Sequence, residues 1–154
     1  MERGILTQEY RHEPVMLGEV LESLRLKSGS VVCDCTLGGA GHSVKMAAQV
    51  GETGLLLGVD QDDMALEAAG ARLDREVPGV PHQLLKGNFG DLDELLCSAE
   101  VPGVDGFLFD LGVSSPQLDI PGRGFSYNED APLDMRMDPG LSLIHISEPT
   151  RHLR

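Results

Sequence analysis

The chain has 154 residues, of which 41% are apolar and 24% are charged, and its formal net charge at neutral pH is −13. This length suits one domain with a hydrophobic core of ordinary size, and the composition argues against general disorder. The excess of acidic residues disfavours broad binding to nucleic acid, which depends on Lys and Arg contacts with phosphates. It does not exclude a local basic patch.

The sequence predicts neither a membrane protein nor an exported one. Its apolar runs fall well short of the roughly 18 residues that a membrane span needs, and residues 1–10 lack the basic and then apolar layout of a signal peptide. The three cysteines, Cys33, Cys35 and Cys97, have no partners at the spacing of a metal site. We therefore expect a cytoplasmic protein without a bound metal, in which Cys33 and Cys35 are small buried residues in a reducing compartment.

Strands and helices alternate along most of the chain. An apolar stripe at helical spacing predicts a first helix that starts at Pro14 and ends near Leu24. The pattern then predicts strands at 31–35, 55–60, 82–86 and 104–111, and helices at 42–50, 62–73 and 92–98. This alternation is typical of an α/β domain in which a parallel sheet carries helices on both faces. Residues 112–138, rich in Gly, Pro, Ser and Asp, have no clear element.

The stretch from Ser30 to His42 is the centre of the predicted fold. A short apolar strand ends there in the glycine-rich turn TLGGAG, and a helical pattern begins near His42. Such units bind the anionic or polar end of a nucleotide-like cofactor, because glycines let a ligand approach the backbone and the first N–H groups of the helix face it. Asp60 ends the next strand about 20 residues later, where a carboxylate usually holds the ribose hydroxyls.

The spacing of the glycines narrows the choice of cofactor. No register of Gly38, Gly39 and Gly41 fits the GxGxxG pattern, which disfavours an NAD-dependent dehydrogenase, and the turn lacks the Gly-Lys-Ser/Thr of a P-loop. S-adenosyl-L-methionine, which carries no phosphate, remains. In such a site we expect Asp34 to hold the ammonium group, the turn N–H groups to hold the carboxylate, and Asp60 to hold the ribose.

A third acidic residue, Asp110, follows the fourth predicted strand. It faces the crevice at the carboxyl ends of the strands, where open α/β sheets bind ligands. A methyltransferase that acts on an exocyclic base amine needs a hydrogen-bond acceptor at this place to orient the amine. Asp110 is therefore the candidate catalytic residue, and the alternative is that it only caps a loop.

Five motifs in a fixed order resemble one family. They start at residues 12, 36, 110, 123 and 132 and run HEPVM, TLGGAGHS, DLGVSSPQLD, RGFS and PLDMRMD. Over about residues 10–140 the chain is similar to the bacterial MraW/RsmH-type methyltransferases, which methylate N4 of a cytidine in small-subunit (16S) ribosomal RNA. A generic methyltransferase would share only the glycine turn and Asp60.

The resemblance implies a fold, a cofactor and a partner. The fold is a Rossmann-like domain for S-adenosyl-L-methionine, interrupted by a helical insertion, and the partner is small-subunit rRNA within the assembled subunit. By motif, the family's cofactor contacts fall on Ala40, Gly41, His42, Asp60, Phe89, Asp110 and Gln117, and we add Asp34, Gly38 and Gly39 from the residues themselves. Phe89 is expected near the adenine, with ordinary core packing as the alternative.

The resemblance also divides the chain. We expect an arm at residues 1–13, a partial methyltransferase domain at 14–140 that stops before the insertion and the last strands, and a tail at 141–154 without family pattern that looks like an artefact. On this interpretation the chain is an amino-terminal fragment, and methyl transfer by these residues alone is not implied. The alternative function is a nucleotide-binding module without catalysis.

Overall fold

The computed structural model describes residues 14–126, 128, 130–132, 134–138 and 140. Four strands form the sheet: β1 (Val31–Asp34), β2 (Leu55–Asp60), β3 (His82–Lys86) and β4 (Gly106–Leu108). Five α-helices are described: α1 (Leu17–Leu24), α2 (Gly41–Val50), α3 (Asp63–Glu76), α4 (Leu92–Ser98) and α5 (Ser115–Asp119). Short 3-10 helices cover Phe89–Asp91 and Pro121–Arg123.

The strands are parallel and lie in the order β3-β2-β1-β4. The chain therefore moves outward from β1 through β2 to β3 and then returns to the other side of β1 for β4. This reversal of strand order opens a crevice at the carboxyl ends of β1 and β4, which is where open α/β sheets bind ligands. The predicted α/β fold with a parallel sheet is confirmed.

Helices cover both faces of the sheet, as predicted. Successive side chains of a strand point to opposite faces, so Val32 and Leu56 pack with α1, α2 and α3, whereas Cys33 and Leu57 pack with α4. The core residues Val32, Cys33, Leu56 and Leu57 have no exposed surface. At the described residues, no helix is long and apolar enough to cross a membrane.

The region after α4 differs from the prediction. The predicted fourth strand spans 104–111, but β4 has only three residues, and side chains take part in the hydrogen bonding at both of its ends. The carboxylate of Asp105 accepts the N–H of Val31 at 2.8 Å, and the N–H of Asp110 turns aside to the hydroxyl of Thr36 at 2.7 Å. Residues 112–138, predicted to lack elements, contain α5 and a 3-10 turn. The predicted arm at 1–13 and the predicted tail at 141–154 lie outside the described residues.

Candidate cofactor and active site

The glycine turn between β1 and α2 is held by the end of β2. Gly38 has a φ of 47°, a conformation that favours glycine, and its N–H donates to Asp60 Oδ2 at 2.8 Å. Gly41 lies so close to Pro14 that an added Cβ would come within 2.7 Å of the proline Cγ. The turn therefore requires glycine at these two positions for different reasons, one of backbone conformation and one of space.

The start of α2 carries backbone donors without protein partners. The residue before the helix, Ala40, is left-handed with a φ of 58° and supplies no side-chain cap. Within the described part of the chain, the N–H groups of Gly41, His42 and Ser43 donate to no acceptor. Free N–H groups and the helix dipole together make this end of α2 suited to a carboxylate or another anion.

Asp34 supports the turn from below. Its side chain is buried, Oδ2 accepts the hydroxyl of Ser43 at 2.6 Å, and Oδ1 accepts the N–H of Thr36 at 3.1 Å. Burial raises the pKa of the Asp34 carboxyl, and the hydrogen bond from Ser43 opposes that rise. The Asp34 side chain is 2% exposed, so in this structure its carboxylate faces the turn backbone and Ser43 and not the open crevice, and the predicted contact with a ligand ammonium group stays a prediction.

Asp60 links the turn to the start of α3. Besides the N–H of Gly38, it accepts the N–H of Asp62 through Oδ1 at 2.9 Å. A carboxylate has about four acceptor positions, so two remain for ribose hydroxyls. Asp62 in turn caps α3, because its Oδ1 accepts the N–H of Met64 at 3.1 Å.

His42 and Asp110 meet at the crevice from α2 and from the end of β4. The Nε2 atom of His42 lies 2.9 Å from the carbonyl oxygen of Val15 and so carries a proton there. Its Nδ1 lies 3.8 Å from Asp110 Oδ2, beyond a hydrogen bond but within reach of an ion pair if the ring takes a second proton. The His42 ring is buried and the Asp110 side chain is 55% exposed, so the carboxylate faces the open crevice.

Phe89 forms an aromatic pair that spans the sheet. It follows β3 and contacts Phe109, which follows β4, with ring centroids 5.8 Å apart and planes at 87°. Since β3 and β4 lie at opposite edges of the sheet, the pair reaches across the ends of the two middle strands. Both rings are partly exposed, at 39% and 47%, so neither belongs to the core. Nothing in the sequence pattern singled out Phe109.

Gln117 and Arg123 lie in the segment after β4. Gln117 on α5 is buried, and its Oε1 accepts the N–H of Ser114 at 2.9 Å, so it shapes the loop. Arg123 contacts the Asp62 carboxylate at 2.7 Å. A cavity of about 130 Å³ lies beside these residues, lined among others by Gly38, Gly39, Asp62, Met64, Ser114 and Arg123. Ligand pockets usually measure roughly 300–1,000 Å³, so this cavity takes only part of a nucleotide-sized molecule.

The predicted site residues are thus mostly brought together. The turn residues, Asp60 and Asp110 lie around one crevice. Ala40 and His42 are buried at its wall, and Asp34 and Gln117 are buried behind it. The described residues contain no group of His, Cys, Asp or Glu that could hold a metal ion. Cys33 and Cys35 lie with their sulfur atoms 3.7 Å apart in the core; their hydrogen bond and burial raise the pKa of Cys33, which keeps that thiol protonated. Sequence reasoning missed Phe109 and gave Arg123 no role of its own.

The fold and the site together define the class of protein to which this chain belongs. A parallel sheet in this strand order, with a glycine turn after β1 and a carboxylate at the end of β2, is a Rossmann-like fold for a nucleotide-like cofactor. Residues 9–146 match the model of the MraW methylase family. The chain belongs to the MraW methylase family, as its motifs predicted.

Curated relatives carry a consistent description. The chain is 51% identical over 140 residues to ribosomal RNA small subunit methyltransferase H of a Paenibacillus species, a match that covers 87% of this chain and 44% of the relative. It is 49% identical over 132 residues to the protein of the same description from Brevibacillus brevis, covering 86% of this chain and 41% of the relative. The chain therefore spans less than half the length of the curated relatives it matches.

A solved S-adenosylmethionine-dependent methyltransferase from Aquifex aeolicus is a more distant match. It aligns with a TM-score of 0.43 and 18% identity over 67% of this chain and 71% of that one. Membership of a methylase family supports S-adenosyl-L-methionine as the cofactor, which the glycine turn predicted. The free N–H groups at the start of α2 fit the carboxylate of S-adenosyl-L-methionine, and the remaining acceptor positions of Asp60 fit its ribose.

Proposed function

We propose that this chain carries the cofactor site and the amine-orienting carboxylate of an rRNA methyltransferase that acts on N4 of a cytidine in the small subunit. The observation that supports this most strongly is a convergence at one crevice. Unpartnered N–H groups at the start of α2, the Asp60 carboxylate and the exposed Asp110 carboxylate lie around the carboxyl ends of β1, β2 and β4.

In the proposed complex, each part of the cofactor has a matching group on the protein. The N–H groups of Gly41 and His42 donate to its carboxylate, Asp60 accepts from the ribose hydroxyls, and Phe89 packs against the adenine. Asp34 acts through the turn, because its bonds to Ser43 and Thr36 fix the backbone that receives the ligand. Gln117 likewise acts by shaping the loop.

Bound S-adenosyl-L-methionine supplies a methyl group on a positively charged sulfur. The chain's own task is to orient the attacking amine, and Asp110 has an exposed carboxylate that accepts an N–H from it. The amine must also lose a proton, which Asp110 takes up. His42 lies behind Asp110, with its Nδ1 3.8 Å from the carboxylate. Because the His42 proton is on Nε2, Nδ1 holds a lone pair and can interact with the proton that Asp110 takes up.

The proposed substrate is a cytidine of small-subunit rRNA in the assembled subunit, and the reaction belongs to the cytoplasm. Both curated relatives are described as methyltransferases of small-subunit rRNA. The net charge of −13 is compatible with this substrate if recognition relies on RNA shape and unpaired bases rather than on phosphates alone.

The test is transfer of a labelled methyl group to small ribosomal subunits, followed by digestion to nucleosides. We expect label in N4-methylcytidine, and we expect Asp110→Ala to lower the rate at least about 100-fold, because positioned acid–base groups contribute on that scale. Asp93→Ala, which changes an exposed carboxylate on α4, is the matched control and should leave the rate unchanged.

Two results would contradict the proposal. Full activity of Asp110→Ala would remove this residue from the active site. A chain that binds the cofactor but transfers no methyl group, even when it is joined to the remaining part of a curated relative, would support the alternative, a nucleotide-binding module without catalysis.

A further inference from the structure

Arg123 ties several parts of the segment after β4 to the start of α3. Its side chain is only 14% exposed, and its Nη2 lies 2.7 Å from Oδ2 of Asp62, whose side chain is 6% exposed. The same nitrogen donates to the carbonyl oxygens of Arg136 at 3.2 Å and Met137 at 2.9 Å. The Arg123 carbonyl also accepts the N–H of Met135 at 3.1 Å. One buried guanidinium thus holds residues 135–137 against the start of α3.

These contacts lay residues 134–138 across the ends of β2 and β3. Gln61, which follows β2, points its amide at the Met137 sulfur at 3.8 Å. Lys86, the last residue of β3, lies 3.6 Å from the Asp138 carboxylate. The segment therefore lies on the side of the crevice where Asp60 is expected to hold the ribose.

A continuous set of bonds joins this segment to the glycine turn. Arg123 contacts Asp62, the Asp62 N–H donates to Asp60, and Asp60 accepts the N–H of Gly38. Arg123 and Asp62 also line the cavity that the turn borders. A change at Arg123 can therefore reach the Asp60 carboxylate through one ion pair and one hydrogen bond, and the glycine turn through a second hydrogen bond.

We propose that Arg123 is a positioning residue for cofactor binding. Its ion pair with Asp62 holds residues 134–138 over the adenosine side of the crevice and keeps Asp60 aligned with the turn. This inference rests on the proposed function, since it assigns Arg123 to the same cofactor site. The positioning role belongs to the buried Arg123–Asp62 pair, because a buried charge that loses its partner is poorly tolerated. The more exposed Lys86–Asp138 contact should contribute little.

The experiment combines titration calorimetry of the purified chain with S-adenosylhomocysteine and amide hydrogen exchange of residues 134–138. We expect Arg123→Gln and Asp62→Asn each to weaken binding by about tenfold, a typical size for coupling between sites. The double variant should bind no more weakly than about the weaker single one, because both changes break one interaction. Arg123→Gln should also speed exchange at 134–138 in the ligand-free chain.

Two further variants separate positioning from general stability. Lys86→Gln removes two partly exposed ion pairs, one with Asp138 of the segment and one with Asp63 of α3, and should change binding by less than about twofold. Arg123→Lys keeps the charge but has no planar fork, so it should fall between wild type and Arg123→Gln. If Arg123→Gln fails to fold by circular dichroism, Asp62→Asn makes the same comparison, because asparagine can still cap α3.

The outcomes distinguish this inference from the proposed function. If the wild-type chain binds S-adenosylhomocysteine and Arg123→Gln or Asp62→Asn binds it equally well, the positioning role is wrong and the proposed cofactor site stands. Additive losses in the double variant, or unchanged exchange at 134–138, would also overturn it. If the wild-type chain itself does not bind, the proposed cofactor site fails and the inference fails with it.

Discussion

The region from β1 to β2 and the region from β4 onward are built differently. Around β1, α2 and β2, apolar side chains such as Val32, Met46 and Leu56 have no exposed surface. After β4, by contrast, Phe109 and Leu111 are 47% and 70% exposed. The first region is held by a packed core, and the second is attached to it through individual side chains.

Backbone hydrogen bonds reflect the same contrast. In the first region they run between strands in regular register. In the second, the N–H of Asp110 is bound by Thr36, that of Ser114 by Gln117, and the carbonyl of Met137 by Arg123. The first region therefore combines a packed core with the glycine turn and Asp60, whereas the second brings Asp110 to the crevice on a segment with little core of its own.

The largest expected effect is the loss of a core side chain. Leu56→Ala empties a fully buried position in β2, and such changes cost about 2–5 kcal/mol in the free energy of unfolding. Leu111→Ala makes the same chemical change at a 70% exposed position and should stay within about 0.5 kcal/mol. Urea unfolding of both variants measures the difference, and equal losses would contradict the contrast between the two regions.

A smaller effect is expected in the pH dependence of stability. Burial raises the pKa of Asp34 above its ordinary 3.8, so the folded state binds this proton more tightly than the unfolded state. Its contribution to stability is therefore greatest below pH 3.8 and falls as the pH rises through the folded-state pKa. Asp34→Asn cannot titrate and should show a shallower decline from acid to neutral pH. Urea unfolding across this range checks it, and identical slopes would mean that Asp34 does not carry the effect.

The smallest expected effect concerns the aromatic pair. Phe109→Leu removes the ring that contacts Phe89 and should weaken binding of S-adenosylhomocysteine roughly threefold to tenfold, since such pairs contribute about 0.5–1.5 kcal/mol. Phe107→Leu is the matched control, because this similarly exposed ring lies on β4 in the groove with α1. A similar loss in both variants would show that the pair has no special role.

Local pattern predicted much of the fold. The bounds of β2, β3 and α4 agree with the sequence prediction, because glycine or proline lies just before each of them. The end of β4 was predicted wrongly, since Phe109 and Leu111 are apolar but lie outside the sheet. Periodicity cannot tell an apolar residue in a core from one at the edge of a crevice.

For the site, the sequence predicted which carboxylates lie near the crevice better than it predicted which of them face it. Asp60 and Asp110 lie at the crevice because strand ends meet at one edge of a parallel sheet. Whether a carboxylate faces the crevice depends on hydrogen-bond donors elsewhere in the chain. The Ser43 hydroxyl, for example, donates to Asp34 on the buried side of the turn. The pairing of Arg123 with Asp62 joins residues far apart in the chain, and only the folded structure brings them together.

The most direct test of the account is calorimetric titration of the purified 154-residue chain with S-adenosylhomocysteine, with NAD as the control ligand. We expect saturable binding of S-adenosylhomocysteine and none of NAD, because the turn offers N–H groups and Asp60 but lacks the glycine spacing of a dinucleotide site. A folded chain that binds neither ligand, or that binds NAD more tightly, would contradict it.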